Sequence, residues 1–118
     1  PKNITCYFSI DEKLAALITN PEARKNILLI IKEALNNIAK YSDARKVDIS
    51  LLKKENNILL SVTDDGKGFD TATATPGNGL YNIQQRCKQL NGLYGITSDA
   101  SGTVITCTFP IAIISHNM

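Results

Sequence analysis

Three polar side chains on one predicted helix are the first residues whose types and spacing could do chemistry. Glu33, Asn37 and Lys40 fall within about 60° of one another at helical pitch. The apolar stripe of the same helix centres about 120° round from Glu33, so the three line one edge of its buried face. A carboxylate, an amide oxygen and an ammonium in such a row suit a magnesium–phosphate group. The amide oxygen can ligate the metal, the carboxylate can orient a water or accept a proton, and the ammonium can meet phosphate charge. A solvated helix edge would carry the same residue types, so the helix alone leaves both readings open.

Asp64-Asp65-Gly66-Lys67-Gly68-Phe69 follows directly on an alternating apolar run. Two glycines one residue apart let the backbone turn sharply and approach a ligand closely. A carboxylate offers only acceptors. Facing a purine, it accepts from an exocyclic amine and repels a carbonyl, which selects adenine over guanine because a mismatched buried polar group is costly. An ordinary Asp/Gly turn is the alternative. Gly77-Asn78-Gly79-Leu80 opens a predicted helix, where exposed backbone N–H groups can bind phosphate oxygens. No G-x-x-x-x-G-K-[ST] run exists, and Asn82 stands where a dinucleotide fingerprint needs its third glycine. Gly102-Thr103-Val104 leads into the last predicted strand. A turn glycine and a strand threonine are usually structural, but a hydroxyl there could hold a water or an adenine nitrogen.

These residues need elements to position them. A first strand is expected at about 4–9, and Asp11 can cap a short helix to about Ile18. Asn20-Pro21-Glu22 is a strong helix start. The helix should run to about Tyr41, with Ile27, Ile30, Ile31, Ala34, Leu35 and Ile38 on one face. Val47, Ile49 and Leu51 alternate with polar residues, as do Ile58, Leu60 and Val62. The turn Glu55-Asn56-Asn57 makes them a hairpin, since Asn tolerates positive φ. Residues 64–79 read as a loop of little apolar content. Leu80, Ile83, Cys87 and Leu90 form another helical stripe, which Gly92 is placed to end. Leu93 to Thr97 and Thr103 to Ile111 read as two more strands. Strands and helices are interspersed without a strict βαβ repeat. That favours an α+β fold, a two-layer sandwich of a mixed sheet with about three helices on one face.

The 118 residues form one domain by size. Apolar residues make up 43% and charged residues 20%, an ordinary globular balance that excludes disorder. A net charge of +2 does not point to nucleic acid or a membrane surface. The longest apolar runs, such as Ile27 to Ile31, fall far short of the roughly 20 residues that span a bilayer. Cys6, Cys87 and Cys107 form no CxxC pair and are expected to be three buried free thiols in a reducing compartment. The one histidine, His116, reads as a tail residue, so a zinc site has little support. The chain opens on Pro1 rather than Met and reads as a piece of a longer protein.

In this order and spacing the elements resemble the ATP-binding catalytic domain of sensor histidine kinases, in the GHKL (Bergerat-fold) superfamily. Glu33-Ala34-Leu35-Asn36-Asn37-Ile38-Ala39-Lys40 is similar to the N box. Asp64 to Phe69 is similar to the first glycine box, Gly77 to Leu80 to the second, and Gly102-Thr103 to the closing Gly-Thr element. The short lid and the Glu-Ala-Leu-Asn-Asn wording look most like the subfamily that includes nitrate sensors and membrane-fluidity sensors. It departs from that subfamily at Leu29 to Lys32, at Tyr41 and at Gln84, while Arg86 is kept.

The resemblance implies ATP and Mg²⁺ as cofactors, with Asn37 ligating the metal and Glu33 as the catalytic carboxylate. It implies Lys40 near phosphate, Asp64 on the adenine amine, and Gly66 and Gly68 shaping the base pocket. Residues 69–78 would form a lid hinged by Gly77 and Gly79, ahead of Leu80, and Thr103 would support Asp64. The phosphoryl acceptor would be a histidine on a separate helical dimerisation domain, with a response regulator downstream and no nucleic-acid partner. The isolated chain is expected to be monomeric and not to phosphorylate itself. It reads as a cytoplasmic domain, compatible with a parent protein anchored in the inner membrane. A protein-serine kinase of the same superfamily and a non-catalytic ATP-sensing module are the alternatives.

Overall fold

The computed structural model describes residues 3–41, 43–68 and 79–115. β1 (Thr5–Ile10) leads into α1 (Glu12–Leu17) and α2 (Pro21–Tyr41). The hairpin β2 (Lys46–Lys54) and β3 (Asn57–Asp64) follows, then α3 (Leu80–Gln89), the hairpin β4 (Leu93–Asp99) and β5 (Gly102–Pro110), and α4 (Ala112–Ser115). The helix starts are local chemistry. Asp11 Oδ1 accepts from the Lys13 N–H at 2.9 Å, and Asn20 Oδ1 accepts from Glu22 and Ala23 at 2.9 and 3.2 Å. These bonds satisfy donors that the first helical turn leaves open.

The five strands form one mixed sheet in the order β1-β2-β3-β5-β4. β1 and β2 are parallel and the other pairs antiparallel. Register lines up the apolar alternation into rows on one face. Ile49, Val62 and Ile105 make one row, and Leu51, Leu60 and Cys107 the next. Ile27, Ile30, Ala34 and Ile38 of α2 and Ile83 and Cys87 of α3 cover these rows, and all are buried. The two-layer α+β sandwich expected from the sequence is the fold observed.

Four details differ from the sequence expectation. First, the tight β2–β3 turn places its positive φ on Glu55, at 58°, because the two-residue loop between Lys54 and Asn57 needs the twist at its first position. Second, the left-handed residue that follows the end of α3 is Asn91 rather than Gly92. Asn91 takes φ 58°, and the Asn91 and Gly92 N–H groups close onto the Lys88 and Cys87 carbonyls at 2.9 Å each. Third, the cysteines are not three buried thiols. Cys87 and Cys107 are buried but joined as a disulfide, where the inner side of α3 crosses the middle of β5. Cys6 is exposed on edge strand β1, whose six residues are all exposed. Fourth, α4 has only four residues, too few for periodicity to reveal. It docks through buried Ile114, whose carbonyl accepts from Thr19 and Asn20.

Where the helix layer stops short of β1, an apolar cavity of about 300 Å³ opens between α1, α2 and the sheet. Ile10, Ile18, Arg24, Ile27 and Leu51 are among its walls, and it contains none of the candidate site residues. No described helix is long and apolar enough to cross a membrane.

Gly92 is required by space. An added Cβ would stand 2.9 Å from the Thr108 carbonyl oxygen, and 3.0 and 3.1 Å from the sulfurs of Cys87 and Cys107. Gly92→Ala should therefore lower stability by roughly 1–3 kcal/mol, the usual range for overpacking. Urea unfolding at equilibrium checks this, and a variant as stable as the wild type would contradict it.

Candidate functional site

The site is set by where chain ends meet. α2 runs through the turn at 43–45 into β2, whose Val47 pairs with Asp64 at the end of β3. β5 begins at the same end, since Asp64 pairs with Thr103 and Thr103 with Ser98 of β4. The last turns of α2, the end of β3 and the start of β5 therefore share one end of the molecule. Lys67 Nζ lies 3.2 Å from Asp43 across this end and ties the glycine segment to the α2–β2 turn.

On the buried sheet face the other rows are mainly apolar, and this last one reads Val47, Asp64, Thr103, Ser98. Asp64 is 5% exposed. Its Oδ1 accepts from the Gly66 N–H at 2.7 Å. Burial pushes its carboxyl above the ordinary aspartate value. The backbone N–H groups of Gly66 and Thr103 pull it back, and the neighbouring Asp65 charge adds to the rise. Thr103 is buried, and its hydroxyl shares a hydrogen bond of 2.7 Å with Ser98 Oγ. Gly102, at φ 143°, allows the β5 turn to pass Asp64, because a Cβ there would stand 2.0 Å from the Asp64 carbonyl oxygen. Buried Gly68 is confined in the same way against the Asp99 carbonyl.

Asp65 has a different job. It is exposed, and its Oδ1 accepts from the N–H groups of Arg45 and Lys46 at 2.9 and 3.0 Å. The Lys46 and Arg45 bonds hold its carboxyl below the ordinary value. Two adjacent carboxylates are thus separated by the strand's alternation. One clamps the start of β2, and the other stands buried at the cluster of Gly66, Thr103 and Ser98.

On α2, Asn37 is 4% exposed and its Oδ1 meets no hydrogen-bond donor among the described residues. An orphaned buried amide oxygen costs on the order of 1–3 kcal/mol. A hard cation is a ligand that would satisfy it, so this donor fits a magnesium ion. One turn earlier, half-buried Glu33 faces Gly79, the residue that opens α3 at φ 87°. A Cβ on Gly79 would come within 3.1 Å of Glu33 Oε2. Leu80, 6% exposed, anchors the start of α3 in the core. Lys40 is exposed on the last turn of α2.

The structure thus gathers Asp64, Gly66 and Thr103 in one cluster and Glu33 with Gly79 in another, with Gly68 set beside β4. Asn37 and Lys40 follow Glu33 along α2 toward the Asp64 end. Gly77 and the lid at 69–78 lie outside the described residues, as does His116. Sequence reasoning missed Ser98. Its signal was the short turn after Asp99, which fixes the β4–β5 register and brings Ser98 opposite Thr103.

Residues 22–113 match the family model described as "Histidine kinase-, DNA gyrase B-, and HSP90-like ATPase". The chain belongs to this family. It is 31% identical over 113 residues to the oxygen sensor histidine kinase NreB of Staphylococcus carnosus, covering 93% of this chain and 33% of that protein. It is 38% identical over 92 residues to the sensor histidine kinase YdfH of Bacillus subtilis, covering 74% of this chain and 23% of that protein. The chain therefore spans at most a third of these relatives' lengths. Among solved structures, the blue-light activated histidine kinase of Erythrobacter litoralis superposes with a TM-score of 0.77 at 19% identity. That match covers 98% of this chain and 36% of that one, and at such identity it speaks for the fold alone. Membership of this ATPase family implies ATP binding.

The raised carboxyl of Asp64 predicts a pH dependence. Its protonated form is favoured by folding, so that stability is complete below the ordinary value of 3.8 and is lost as pH rises through the folded value. Asn resembles the protonated acid. Asp64→Asn should therefore gain stability on the wild type as pH rises from about 3.5 to about 7. Urea unfolding at both pH values measures this, and a gap that does not widen would contradict it.

Proposed function

We propose that the chain binds ATP with Mg²⁺ and donates the γ-phosphoryl group to a histidine on a separate dimerisation domain, in two-component signal transduction. The observation that carries the reading is the presence of two buried polar groups, on α2 and at the end of β3. One is the Asp64 carboxylate on its backbone donors, and the other is the Asn37 amide oxygen without a donor among the described residues. The sensor histidine kinases among the relatives support it.

In this reading Asp64 accepts from the adenine exocyclic amine, with Thr103 and Ser98 holding the polar row beside it. Gly66 and Gly68 leave room for the ring. Asn37 would hold the magnesium ion, which would neutralise phosphate charge. Lys40 meets the phosphates from the last turn of α2, and the backbone N–H groups that open α3 after Gly79 cradle them. Glu33 accepts a hydrogen bond from one N–H of the incoming imidazole while the other ring nitrogen attacks. The β–γ phosphoanhydride bond breaks, a P–N bond forms and ADP leaves. Such transfer asks the protein for positioning and charge stabilisation more than for covalent chemistry. A response regulator would take the phosphoryl group onward.

Two measurements test this. Titration of the chain should show ATP bound more tightly than GTP, with Mg²⁺ strengthening the binding. Asp64→Ala should abolish the base preference, and Asn37→Ala should mainly remove the Mg²⁺ dependence. Equal wild-type affinity for ATP and GTP would refute the adenine assignment. With the histidine-bearing domain supplied, Glu33→Gln should slow phosphoryl transfer by roughly 10²–10⁴-fold while leaving ATP affinity near wild type, the range expected for one proton-handling group. Transfer at the wild-type rate would remove Glu33 from that role. ATP binding without any transfer from the wild-type chain would favour a non-catalytic sensing module.

A further inference from the structure

α3 packs more extensively on α2 than on the sheet, and two contacts define how. At one end Gly79 faces the Glu33 carboxylate. At the other, Arg86 Nη1 donates to Asn26 Oδ1 at 3.4 Å. Asn26 is a buried polar residue, 3% exposed. The same guanidinium reaches Gln89 Oε1 on its own helix at 3.5 Å.

The numbering of these contacts carries the inference. From Asn26 to Glu33 is seven residues along α2, and from Gly79 to Arg86 is seven residues along α3. The two helices therefore run antiparallel and in step over two turns, roughly 10 Å. Seven residues also return to nearly the same helical face. Between the two contacts the α2–α3 interface is hydrocarbon, including Ile30 and Ile83, while the Cys87 disulfide ties α3 to β5 and not to α2. Apolar contact is non-directional and sets no fixed slide of one helix on another. A directional bond from a guanidinium to a buried amide does set it, and a single polar pair fixes helix register in this way elsewhere.

We propose that Asn26 and Arg86 are positioning residues whose bond fixes the register of α3 on α2. It thereby sets where the start of α3 stands over Glu33. The inference rests on the reading that the phosphates of ATP lie at that start. Without the bond α3 can swing on its Cys87 anchor, which moves its first N–H groups and Gly79 away from Glu33. The swing leaves the Asp64 cluster, built from β3, β4 and β5, in place. Loss of the bond must therefore weaken binding of the triphosphate and spare binding of the nucleoside.

The test compares Mg·ATP with adenosine by calorimetry on the 118-residue chain. Asn26→Leu, which keeps the size and removes the acceptor, should weaken Mg·ATP about tenfold, the loss expected for a hydrogen bond to a charged group, and leave adenosine unchanged. Arg86→Gln, at a half-buried position, gives the same comparison should Asn26→Leu fail to fold. Asn26→Asp keeps an acceptor for the guanidinium and should bind Mg·ATP as the wild type does. Combining Asn26→Leu with Arg86→Gln should weaken binding no more than the worse single variant, because both remove one bond. Equal weakening of both ligands, no weakening of either, or failure of Asn26→Asp to restore affinity would overturn the proposal. A wild-type chain that binds neither ligand would overturn the nucleotide reading and this inference with it. A wild type that binds both, with unchanged variants, would overturn the inference alone.

Discussion

A carboxylate held on the last row of a largely apolar sheet face is the constraint on which most of the specific features depend. Asp64 continues the alternation of Ile58, Leu60 and Val62, so the pleat directs it inward with them. A buried carboxylate is costly unless donors meet it. The chain supplies them locally, with the Gly66 and Thr103 N–H groups at the carboxylate and the Thr103–Ser98 hydroxyl pair alongside. Gly102 lets β5 start close enough to bring Thr103 there. The turn after β3 and the register of three strands thus serve one charged group.

The helices complete the same end from the other layer. α2 buries an apolar stripe flanked by buried Asn26 and Asn37, and Glu33 and Asn37 lie along one edge of it. The helix leads through the turn at 43–45 into β2, whose start Asp65 clamps through two backbone N–H groups. α3 brings Gly79 to Glu33. Its disulfide to β5 and its tie to Asn26 hold the helix from two sides, the sheet and α2. The exposed strand β1 stands apart from this arrangement. It is joined to β2 along one edge, and its six residues are exposed.

Much of this was legible from local pattern. The period of 3.6 in α2 puts Glu33, Asn37 and Lys40 on one edge, because helical geometry relates residues three and four apart wherever the helix sits. Asn20-Pro21 and Asp11 marked helix starts through the donors that a first turn leaves open. The alternation in β2, β3 and β5 marked strands and their inner faces. Local pattern failed where the deciding partner was distant in sequence. Cys6 looked as apolar-patterned as Cys87 and Cys107, yet it lies on an uncovered edge while the other two meet across a helix–sheet contact. Gly92 looked like a helix cap, whereas the space beside Thr108 and two sulfurs requires it, and Asn91 makes the left-handed turn.

By itself, then, the sequence determined the elements, their buried faces and the order of polar residues along them. Those properties arise from backbone geometry and the hydrophobic effect acting within a few residues. Only the tertiary structure decided which strand neighbours which, that Asp64 is buried while Asp65 clamps a strand, that Asn37 keeps its amide oxygen without a donor among the described residues, and how far α3 stands along α2. Each of these depends on contacts between segments tens of residues apart. Such contacts are fixed by how the layers pack together, and no local run of residues encodes them.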